Sequence, residues 1–467
     1  MRIVNVASEA NPLIKSGGLG DVVYSLSREL AKAGHEVAII MPYYKAIKDK
    51  NVGAEYLGYD YIDMSWRHQY VGIFKKVIDG VNYYLIDSEQ YFGRDGLYGY
   101  DDDGERFAYF SLAAQKIISK ENLRPDIVHV HDWQPGMLPV LMKCRPLDDH
   151  KSHYVLTIHN PAFKGYLHRE SLGDLYNLDY DLYDSGAVRF EGMVSTLKGA
   201  IYFCDKITTV SPTHRNELLT EEFSQGLCQV LEFRRDDFCG ILNGVDVVEF
   251  DPEHDPRIKA NYSAKAFLKG KKECKKALLE ELGLKDVDAP TFGIVSRLTY
   301  QKGIDLVIQN ALHLLYRGAN IVILGSGEYA LEQGIQQLRD TRPDKVAVYI
   351  GYNDALAHKI YAGCDFFLMP SLFEPCGIGQ IVAQRYGTLP IVRETGGLVD
   401  TVHPEKDGFS FTYYDTLSMR AVLDRALDVY YMDANKMKEM IKNAMSLDRS
   451  WVESANMYLG VYKEIAS

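Results

Sequence analysis

The sequence lacks the features of disulfide-stapled, membrane-spanning and nucleic-acid-binding proteins. Its seven cysteines are an odd number and contain no C-x-x-C pair, so neither a disulfide framework nor a zinc motif is indicated. No apolar run approaches the roughly 20 residues that a transmembrane helix needs, and the N-terminus has no secretory-signal organisation. Lysine and arginine (52) are outnumbered by aspartate and glutamate (64), which argues against a nucleic-acid surface. We therefore expect a soluble, cytoplasmic protein with neither nucleic-acid nor membrane partners.

Two common nucleotide-binding signatures are also missing. The P-loop pattern is absent, and Val23 stands where the third glycine of a dinucleotide fingerprint would be. Gly325, Gly327 and Ala330 do fit G-x-G-x-x-A, but no acidic residue ends the next expected strand to bind a ribose. P-loop enzymes and nicotinamide-dependent oxidoreductases are therefore disfavoured.

The sequence instead contains a long alternation of strand-length apolar runs and helix-length amphipathic runs. Helices are expected at Gly20–Ala33, Ile304–Leu315 and Trp451–Ile465. Strands are expected at Arg2–Ala7, Glu36–Met41, Tyr83–Asp87, Asp126–His131, Tyr154–His159, Lys206–Val210, Thr291–Ser296, Asn320–Leu324, Val346–Ile350, Phe366–Pro370 and Leu389–Val392. Short, continuously apolar strands separated by helices are typical of parallel sheets that are covered on both faces.

The alternation restarts in the second half, which predicts two α/β domains in series. We place the domains at 1–240 and 241–450, because a turn cluster rich in proline and aspartate lies at this division. The segment 451–467 is expected to form a helix that packs back on the N-terminal domain, since its apolar residues share one face. The predicted fold is α/β, with two doubly wound, Rossmann-like domains facing across a deep cleft.

Cationic residues follow two of the expected strands at their carboxyl ends, where open parallel sheets bind ligands. Lys15 lies beside Gly17 and Gly18 just before a helix, a combination that suits an anion. Arg297 and Lys302 follow a strand of the second half and could stabilise charge on a departing diphosphate. For either motif alone, an ordinary turn with cations balanced by nearby acids remains a comparable interpretation.

Glu374 also follows an expected strand, at the change to a loop that contains Pro375 and Gly377. A carboxylate there could accept hydrogen bonds from sugar hydroxyls and offset positive charge on an oxocarbenium-like carbon. The alternative is an acidic residue that interacts with a helix dipole. Thr395–Leu398 repeats the combination of glycines and a helix start, and could hold the same diphosphate from another side.

Two further patterns are interpreted as structural. His129 and His131 alternate onto one strand face, but no third ligand is evident, so a metal site is not predicted. The acidic run at 101–103 lies in a polar, glycine-containing stretch and is expected to be solvated.

The ordered set of motifs resembles the bacterial glycogen synthases and the related starch synthases. In chain order it comprises SEANPLIKSGGLGDV, HVHDWQPG, TIHNPAFKG, VSPTH, NGVD, SRLTYQKG, GYNDALAHKIYAGCD, MPSLFEPCGIGQ and YGTLPIVRETGGLVDTV. The resemblance runs nearly end to end. It implies a GT-B fold and transfer of glucose from ADP-glucose to the non-reducing end of an α-1,4-glucan, with retained configuration. It also implies that the reaction requires no metal and no cofactor.

The resemblance further implies roles for individual residues. The catalytic positions are Glu374, His159, Arg297 and Lys302. The donor-binding positions are Lys15, Gly18, Asn243, Tyr352, Cys376, Thr395, Gly396 and Gly397. The acceptor-side positions are Asp132, Tyr98, Glu9 and Asp21. The main-chain carbonyl of His159 is implied to lie near the anomeric carbon, and the Tyr352 ring against the adenine.

Four departures from the family pattern affect individual contacts rather than the reaction class. Val382 stands where many related retaining transferases have a second glutamate, as is usual in the glycogen synthase branch. Gly379, Lys164 and Phe250 replace a frequent threonine, a usual glutamine and a usual tryptophan.

Two alternative functions stay open at this point. The first is a related transferase that uses UDP-glucose or a small acceptor. The second is a catalytically silent glucan-binding protein, which the combination of three cations with Glu374 disfavours. A phosphorylase of similar architecture would carry covalent pyridoxal phosphate.

Overall fold

The apolar runs form the strands of two separate main sheets. The first half of the chain contains β1 (Arg2–Val6), β2 (Glu36–Pro42), β3 (Glu55–Met64), β4 (Arg67–Ile78), β5 (Val81–Asp87), β6 (Ile127–His131), β7 (His153–Ile158), β8 (Tyr166–Leu167), β9 (Arg189–Phe190), β10 (Met193–Ser195), β11 (Lys206–Thr209) and β12 (Phe238–Gly240). The second half contains β13 (Thr291–Val295), β14 (Asn320–Gly325), β15 (Val346–Ile350), β16 (Phe366–Met369), β17 (Leu389–Arg393) and β18 (Phe409–Phe411). Every strand expected from the sequence is confirmed to within two residues at each end.

Helices alternate with these strands along most of the chain. They are α1 (Gly18–Lys32), α2 (Lys45–Asp49), α3 (Glu89–Phe92), α4 (Asp103–Lys120), α5 (Leu138–Cys144), α6 (Ser171–Tyr176), α7 (Asp181–Asp184), α8 (Thr196–Phe203), α9 (Pro212–Glu217), α10 (Cys228–Phe233), α11 (Phe267–Glu281), α12 (Ile304–Tyr316), α13 (Tyr329–Thr341), α14 (Asp354–Gly363), α15 (Gly379–Arg385), α16 (Gly397–Thr401), α17 (Thr416–Met432), α18 (Ala434–Met445) and α19 (Trp451–Ala466). Two 3₁₀ helices lie at Arg235–Asp237 and Tyr300–Lys302. None of the described helices combines the length and the apolarity needed to cross a membrane.

This computed structural model describes residues 1–286 and 288–466, which form two units with separate hydrophobic cores. Unit 1 contains Met1–Val210, Arg215–Ile241 and the chain from Trp451 onward. Unit 2 contains Ser211–His214 and Leu242–Ser450. The short segment Ser211–His214 groups with unit 2 because Ser211 Oγ donates to the Pro375 carbonyl at 2.6 Å and Thr213 binds the Asp400 carboxylate.

Unit 1 is built on a nine-stranded sheet in the order β12-β11-β7-β6-β1-β2-β5-β4-β3. Neighbours from β12 to β5 are parallel, whereas β4 is antiparallel to both β5 and β3. The β3–β4 hairpin was not expected from the sequence, because its residues alternate between the two faces instead of forming an apolar run. Tyr59 and Tyr61 are exposed on β3, while Ile62 and Met64 are buried.

Unit 2 is built on a six-stranded parallel sheet in the order β15-β14-β13-β16-β17-β18. All six residues of β14 are buried, as expected of a strand covered on both faces. The strands β13 and β16 are neighbours, so the loops that follow them leave the same edge of the sheet. These loops carry the second-half residues singled out by their chemistry.

The C-terminal helix α19 packs on unit 1. Its side chains Tyr458, Leu459 and Tyr462 are buried in the core of that unit. The Tyr462 hydroxyl lies 2.8 Å from Nδ1 of His129, which is on β6 in the middle of the sheet. The amphipathic pattern of the sequence thus predicts both the helix and its buried face.

Replacing Tyr462 by alanine is expected to destabilise unit 1 by about 3–5 kcal/mol, because it leaves a cavity and removes the hydrogen bond to His129. Urea-induced unfolding of the purified variant measures this loss. Met457 is exposed on the same helix and provides the control, since Met457→Ala should change stability by no more than about 0.5 kcal/mol. Equal effects of the two substitutions would contradict the docking of α19.

Candidate active site

The loops that follow β13 and β16 bring Lys302 and Glu374 together. Lys302 Nζ lies 2.6 Å from Glu374 Oε2, and the Ser371 hydroxyl donates to the same oxygen at 3.0 Å. Glu374 is only 6% exposed, so contacts with these partners replace most of its contact with water. Because breaking a buried ion pair leaves an uncompensated charge, the two side chains hold each other in place.

The turn that carries Lys302 lies directly against the Glu374 loop. Gly303 ends the turn with φ of +71°, and a Cβ at this position would lie 2.1 Å from the Pro370 carbonyl oxygen. The Leu372 amide donates to the Gln301 carbonyl at 2.8 Å. Glycine is therefore required here both for its backbone conformation and for the close approach of the two loops.

The glycines of the Thr395–Gly397 motif pack on the other side of the Glu374 loop. Gly396 has φ of +46°, and a Cβ there would lie 1.9 Å from the Glu374 carbonyl oxygen. A Cβ at Gly397 would lie 2.2 Å from the Cys376 carbonyl oxygen. The Gly397 amide also donates to the Glu374 carbonyl at 3.1 Å. These glycines fix the backbone around Glu374, whatever contacts they make with a ligand.

Arg297 differs from Lys302 in its surroundings. Its side chain is exposed and forms no hydrogen bond or ion pair with any described residue. Of the two cations expected at a diphosphate, the structure therefore pairs Lys302 with a carboxylate and leaves Arg297 available to an anion.

A third cation near Glu374, Arg393, was not expected from the sequence. Its Nε donates to the Ser371 carbonyl at 2.8 Å, and its Nη2 donates to the Leu372 carbonyl.

The remaining donor-side candidates of unit 2 differ in their exposure. Cys376 is buried, and burial raises the pKa of its thiol to about 12, so this residue is a neutral packing group and not a nucleophile. The Asn243 backbone hydrogen-bonds this thiol, while the buried Asn243 Oδ1 has no hydrogen-bond partner among the described residues. Tyr352, expected to lie against an adenine, is 87% exposed beyond the end of β15.

In unit 1, the loop before α1 holds Lys15 in an ion pair with Asp21. Lys15 Nζ lies 3.0 Å from both carboxylate oxygens of Asp21, and Asn11 Nδ2 donates to one of them at 3.1 Å. A Cβ added at Gly17 or Gly18 would meet no atom within 4 Å, so this backbone is open to an approaching group. Asp21 thus positions Lys15, although the resemblance had implied a place on the acceptor side.

The acceptor-side candidate Glu9 lies just ahead of this loop, and the candidate Tyr98 lies on the loop before α4. Glu9 is buried, and its Oε2 accepts from the Ser16 amide at 2.6 Å and from the Ser16 hydroxyl at 2.7 Å. Burial raises the pKa of Glu9, and the hydrogen bonds from Ser16 only partly offset this effect. The Tyr98 hydroxyl lies 2.7 Å from Ser8 Oγ, and burial raises the pKa of the Tyr98 phenol. Burial therefore shifts both groups towards their protonated forms, which can donate as well as accept hydrogen bonds with hydroxyl groups.

Asp132 organises the turn that carries His159. Its φ is +59°, and its Oδ1 accepts from the His159 amide at 2.7 Å and the Asn160 amide at 3.3 Å. Burial raises the pKa of Asp132 to about 7 in spite of these hydrogen bonds. Asp132 is therefore a positioning residue for His159.

The His159 ring belongs to a buried polar network. Its Nε2 lies 3.1 Å from His131 Nδ1, and His131 Nε2 lies 3.2 Å from Asn5 Oδ1. Burial lowers the pKa of His159 to about 3, so its imidazole is neutral at physiological pH. His131 was not among the residues expected at this site. The HVHDW motif that contains it gives no sign of its contact with His159, because this contact requires β6 and β7 to be neighbours.

The histidine pair on β6 and the acidic run at 101–103, both interpreted from the sequence as structural, differ in their surroundings. All four ring nitrogens of His129 and His131 have hydrogen-bond partners within unit 1, including Thr157 at 2.7 Å from His129 Nε2. The expectation that residues 101–103 are solvated is wrong for two of the three. Asp102 forms an ion pair with Arg94 at 2.5 Å, and Asp103 pairs with the fully buried Arg106.

Two family models match the chain. The model for the starch synthase catalytic domain covers residues 2–233, and the model for glycosyl transferases group 1 covers residues 276–446. The glycogen synthase of Lactococcus lactis subsp. lactis (strain IL1403) is 41% identical over 100% of both chains. That of Exiguobacterium sibiricum is 43% identical over 100% of this chain and 99% of the relative. The chain belongs to the glycogen and starch synthase family of glycosyltransferases.

Solved structures show that this family member has the GT-B fold. The catalytic domain of starch synthase IV from Arabidopsis thaliana, bound to ADP and acarbose, superimposes with a TM-score of 0.90 at 33% identity, over 99% of each chain. The sucrose-phosphate synthase of Thermosynechococcus elongatus shares the fold at 15% identity, with a TM-score of 0.63. The expected class of two doubly wound, Rossmann-like domains is confirmed.

The raised pKa of Asp132 makes its contribution to stability depend on pH. Between about pH 4 and pH 7 the folded protein keeps Asp132 protonated while the unfolded chain ionises, so stability falls by about 1.4 kcal/mol per pH unit through this group. Asp132→Asn removes the effect and keeps an oxygen that can accept from the amides of His159 and Asn160. The stability of Asp132→Asn relative to the parent should therefore rise with pH up to about pH 7 and stay constant above it.

Urea unfolding of both proteins across this pH range measures that difference. The buried histidines are common to the two proteins, so their effects cancel. Asp101→Asn, at an exposed position, is the control and should give a curve parallel to the parent. A parallel curve for Asp132→Asn as well would show that the Asp132 carboxyl titrates normally.

Proposed function

We propose that the protein is a glycogen synthase, which transfers glucose from ADP-glucose to the non-reducing end of an α-1,4-glucan with retention of configuration. The observation that carries the proposal is the Lys302–Glu374 ion pair, which joins the loops that follow the neighbouring strands β13 and β16, with Arg297 on the first of these loops. Support for the donor and acceptor comes from full-length relatives that are named glycogen synthases and from a 33% identical starch synthase bound to ADP and acarbose.

On the donor side, Arg297 is proposed to bind the diphosphate. It is exposed and unpaired within the described chain, and a guanidinium can contact two phosphate oxygens at once. Lys302 and Lys15 supply further positive charge. Stabilising negative charge as ADP departs would accelerate the cleavage of the glucosyl bond. The further donor contacts proposed are Gly18, Asn243, Tyr352, Cys376, Thr395, Gly396 and Gly397.

Glu374 is proposed to stabilise the glucosyl group electrostatically. One of its oxygens is already engaged by Lys302 and Ser371, which fixes the carboxylate and favours a stabilising role over nucleophilic attack. In the proposed step the bond between the anomeric carbon and the ADP oxygen breaks while the bond to the acceptor oxygen forms on the same face. A phosphate oxygen of the departing ADP takes the proton of the acceptor hydroxyl.

The proposed roles of unit 1 rest on buried polar groups. His159 contributes its neutral imidazole and its main-chain carbonyl to the glucosyl group, and Asp132 holds the turn in place. Tyr98 and Glu9 are proposed to contact the acceptor glucan. No metal is proposed for the transfer, because charged side chains of this chain supply the positive charge. The seven free cysteines suit the reducing cytoplasm in which we propose that the enzyme acts.

Glu374→Ala and Lys302→Ala are each expected to lower kcat by a factor of about 10²–10³, because each removes charge stabilisation at the transition state. Steady-state release of ADP in the presence of glycogen measures the change, and circular dichroism checks that the fold persists. Lys269 is fully solvent-accessible on α11 and serves as the control, since Lys269→Ala should retain parental kcat. Near-parental turnover in either active-site variant would remove that residue from the mechanism.

A donor and acceptor panel tests the function itself. With glycogen or a maltooligosaccharide, the purified protein should transfer glucose from ADP-glucose, release ADP in equal amount and retain activity after treatment with EDTA. The product linkage, read by nuclear magnetic resonance, should have the α configuration of the donor. Faster transfer from UDP-glucose would reassign the donor. Failure to release nucleotide with either donor would favour a silent glucan-binding protein.

A further inference from the structure

A second group of ligating side chains lies in unit 2 and shares no residue with the proposed reaction. Glu249, Asp354 and His358 each place one ligand atom within 4.8 Å of the other two. His358 Nε2 is 3.8 Å from Glu249 Oε1 and 3.9 Å from Asp354 Oδ1. Asp354 and His358 are one turn apart on α14, whereas Glu249 lies in the segment that follows Leu242.

The His358 ring is oriented by buried contacts on its other side. It is fully buried and stacks on Phe250, with ring centroids 4.9 Å apart and planes within 9°. Its Nδ1 lies 2.7 Å from Asp255 Oδ2, and because a carboxylate only accepts hydrogen bonds, Nδ1 carries the proton. In the neutral ring, Nε2 then presents a lone pair towards Glu249 and Asp354.

This nitrogen has no hydrogen-bond partner among the described residues, although it is buried. A buried polar atom without a partner is costly, and native proteins rarely contain one without a ligand or water. A histidine whose Nδ1–H is held by a carboxylate and whose Nε2 faces further carboxylates is the usual arrangement of a metal-binding histidine.

Charge also favours a cation at this position. Arg257 Nη1 lies 2.5 Å from Glu249 Oε1 and 3.0 Å from Asp354 Oδ2, and Arg257 Nε lies 2.9 Å from an oxygen of Asp255. The Glu249 oxygen that faces His358 Nε2 is thus shared with Arg257, whereas the Asp354 oxygen that faces Nε2, Oδ1, is not the one that Arg257 binds. Three carboxylates and one guanidinium leave two uncompensated negative charges, which a divalent ion would neutralise.

We propose that Glu249, Asp354 and His358 form a binding site for a divalent transition-metal ion, with Zn²⁺ as the representative. One imidazole nitrogen and two carboxylate oxygens suit Zn²⁺ better than Mg²⁺ or Ca²⁺, which prefer oxygen ligands alone. Tetrahedral bonds of about 2.0–2.1 Å place ligands about 3.3 Å apart, so the oxygens of Glu249 and Asp354 must each move about half an ångström closer to His358 Nε2, and these two oxygens, which lie within 4.8 Å of each other, must approach by up to about 1.5 Å. The ion would tie the segment around Glu249 to α14 and stabilise unit 2.

The test uses the full-length protein after treatment with EDTA and dialysis. Isothermal titration with ZnCl₂ should show one saturable site per chain, and Zn²⁺ should raise the thermal unfolding midpoint in proportion to its occupancy. Glu249→Gln and Asp354→Asn should each weaken Zn²⁺ binding by about tenfold or more. Glu253→Gln, at an exposed carboxylate of the same segment, should bind Zn²⁺ like the parent. Mg²⁺ should bind at least about tenfold more weakly than Zn²⁺.

The substitutions are made at the exposed carboxylates, because replacing the buried His358 would also remove its hydrogen bond to Asp255. Cobalt binding supplies a second measurement, since a tetrahedral Co²⁺ site with a histidine ligand absorbs visible light and the two carboxylate variants should lose this absorption. The proposal is overturned if the parent shows no saturable site, or if parent, Glu249→Gln and Asp354→Asn bind Zn²⁺ equally. Equal binding would place the ion elsewhere, as at the exposed Cys144.

Discussion

The buried ion pair of Lys302 with Glu374 is the interaction that joins the two loops of the candidate active site in unit 2. Glu374 is 6% exposed, and the Lys302 ammonium group and the Ser371 hydroxyl both contact the same oxygen of its carboxylate. The backbone brings these groups together by close loop contacts at Gly303 and Gly396, where any larger residue would collide with a carbonyl oxygen. The Lys302–Glu374 ion pair and the glycines at 303 and 396 therefore both depend on the close approach of these loops.

Unit 1 presents a different set of candidate groups, which are polar and buried. Burial lowers the pKa of His159 to about 3 and raises the pKa values of Asp132 and Glu9, which in each case favours the uncharged form. Lys15 of this unit is paired with Asp21, whereas in unit 2 Lys302 is paired with Glu374 and Arg297 is exposed. The proposed metal site in unit 2 is separate from these residues and would act on stability.

The sequence predicted the parallel sheets well because a strand covered on both faces is apolar throughout, and such runs are visible without any tertiary information. The β3–β4 hairpin was missed because an antiparallel edge needs only one buried face, so Ile62 and Met64 alternate with exposed residues. The acidic run was misinterpreted because its ion-pair partners cannot be recognised from the sequence. Asp102 and Asp103 look like solvated charges until the fold brings Arg94 and Arg106 to them.

The sequence by itself determined the fold class, the positions of most parallel strands along the chain and the residue types available at the carboxyl ends of the sheets. It could do so because apolar periodicity and loop motifs are local properties of the chain. Only the tertiary structure decided which charges are paired. It joined Lys302 to Glu374 and Lys15 to Asp21, left Arg297 exposed, and aimed the buried His358 at Glu249. Those choices depend on contacts between distant segments, which no single motif encodes.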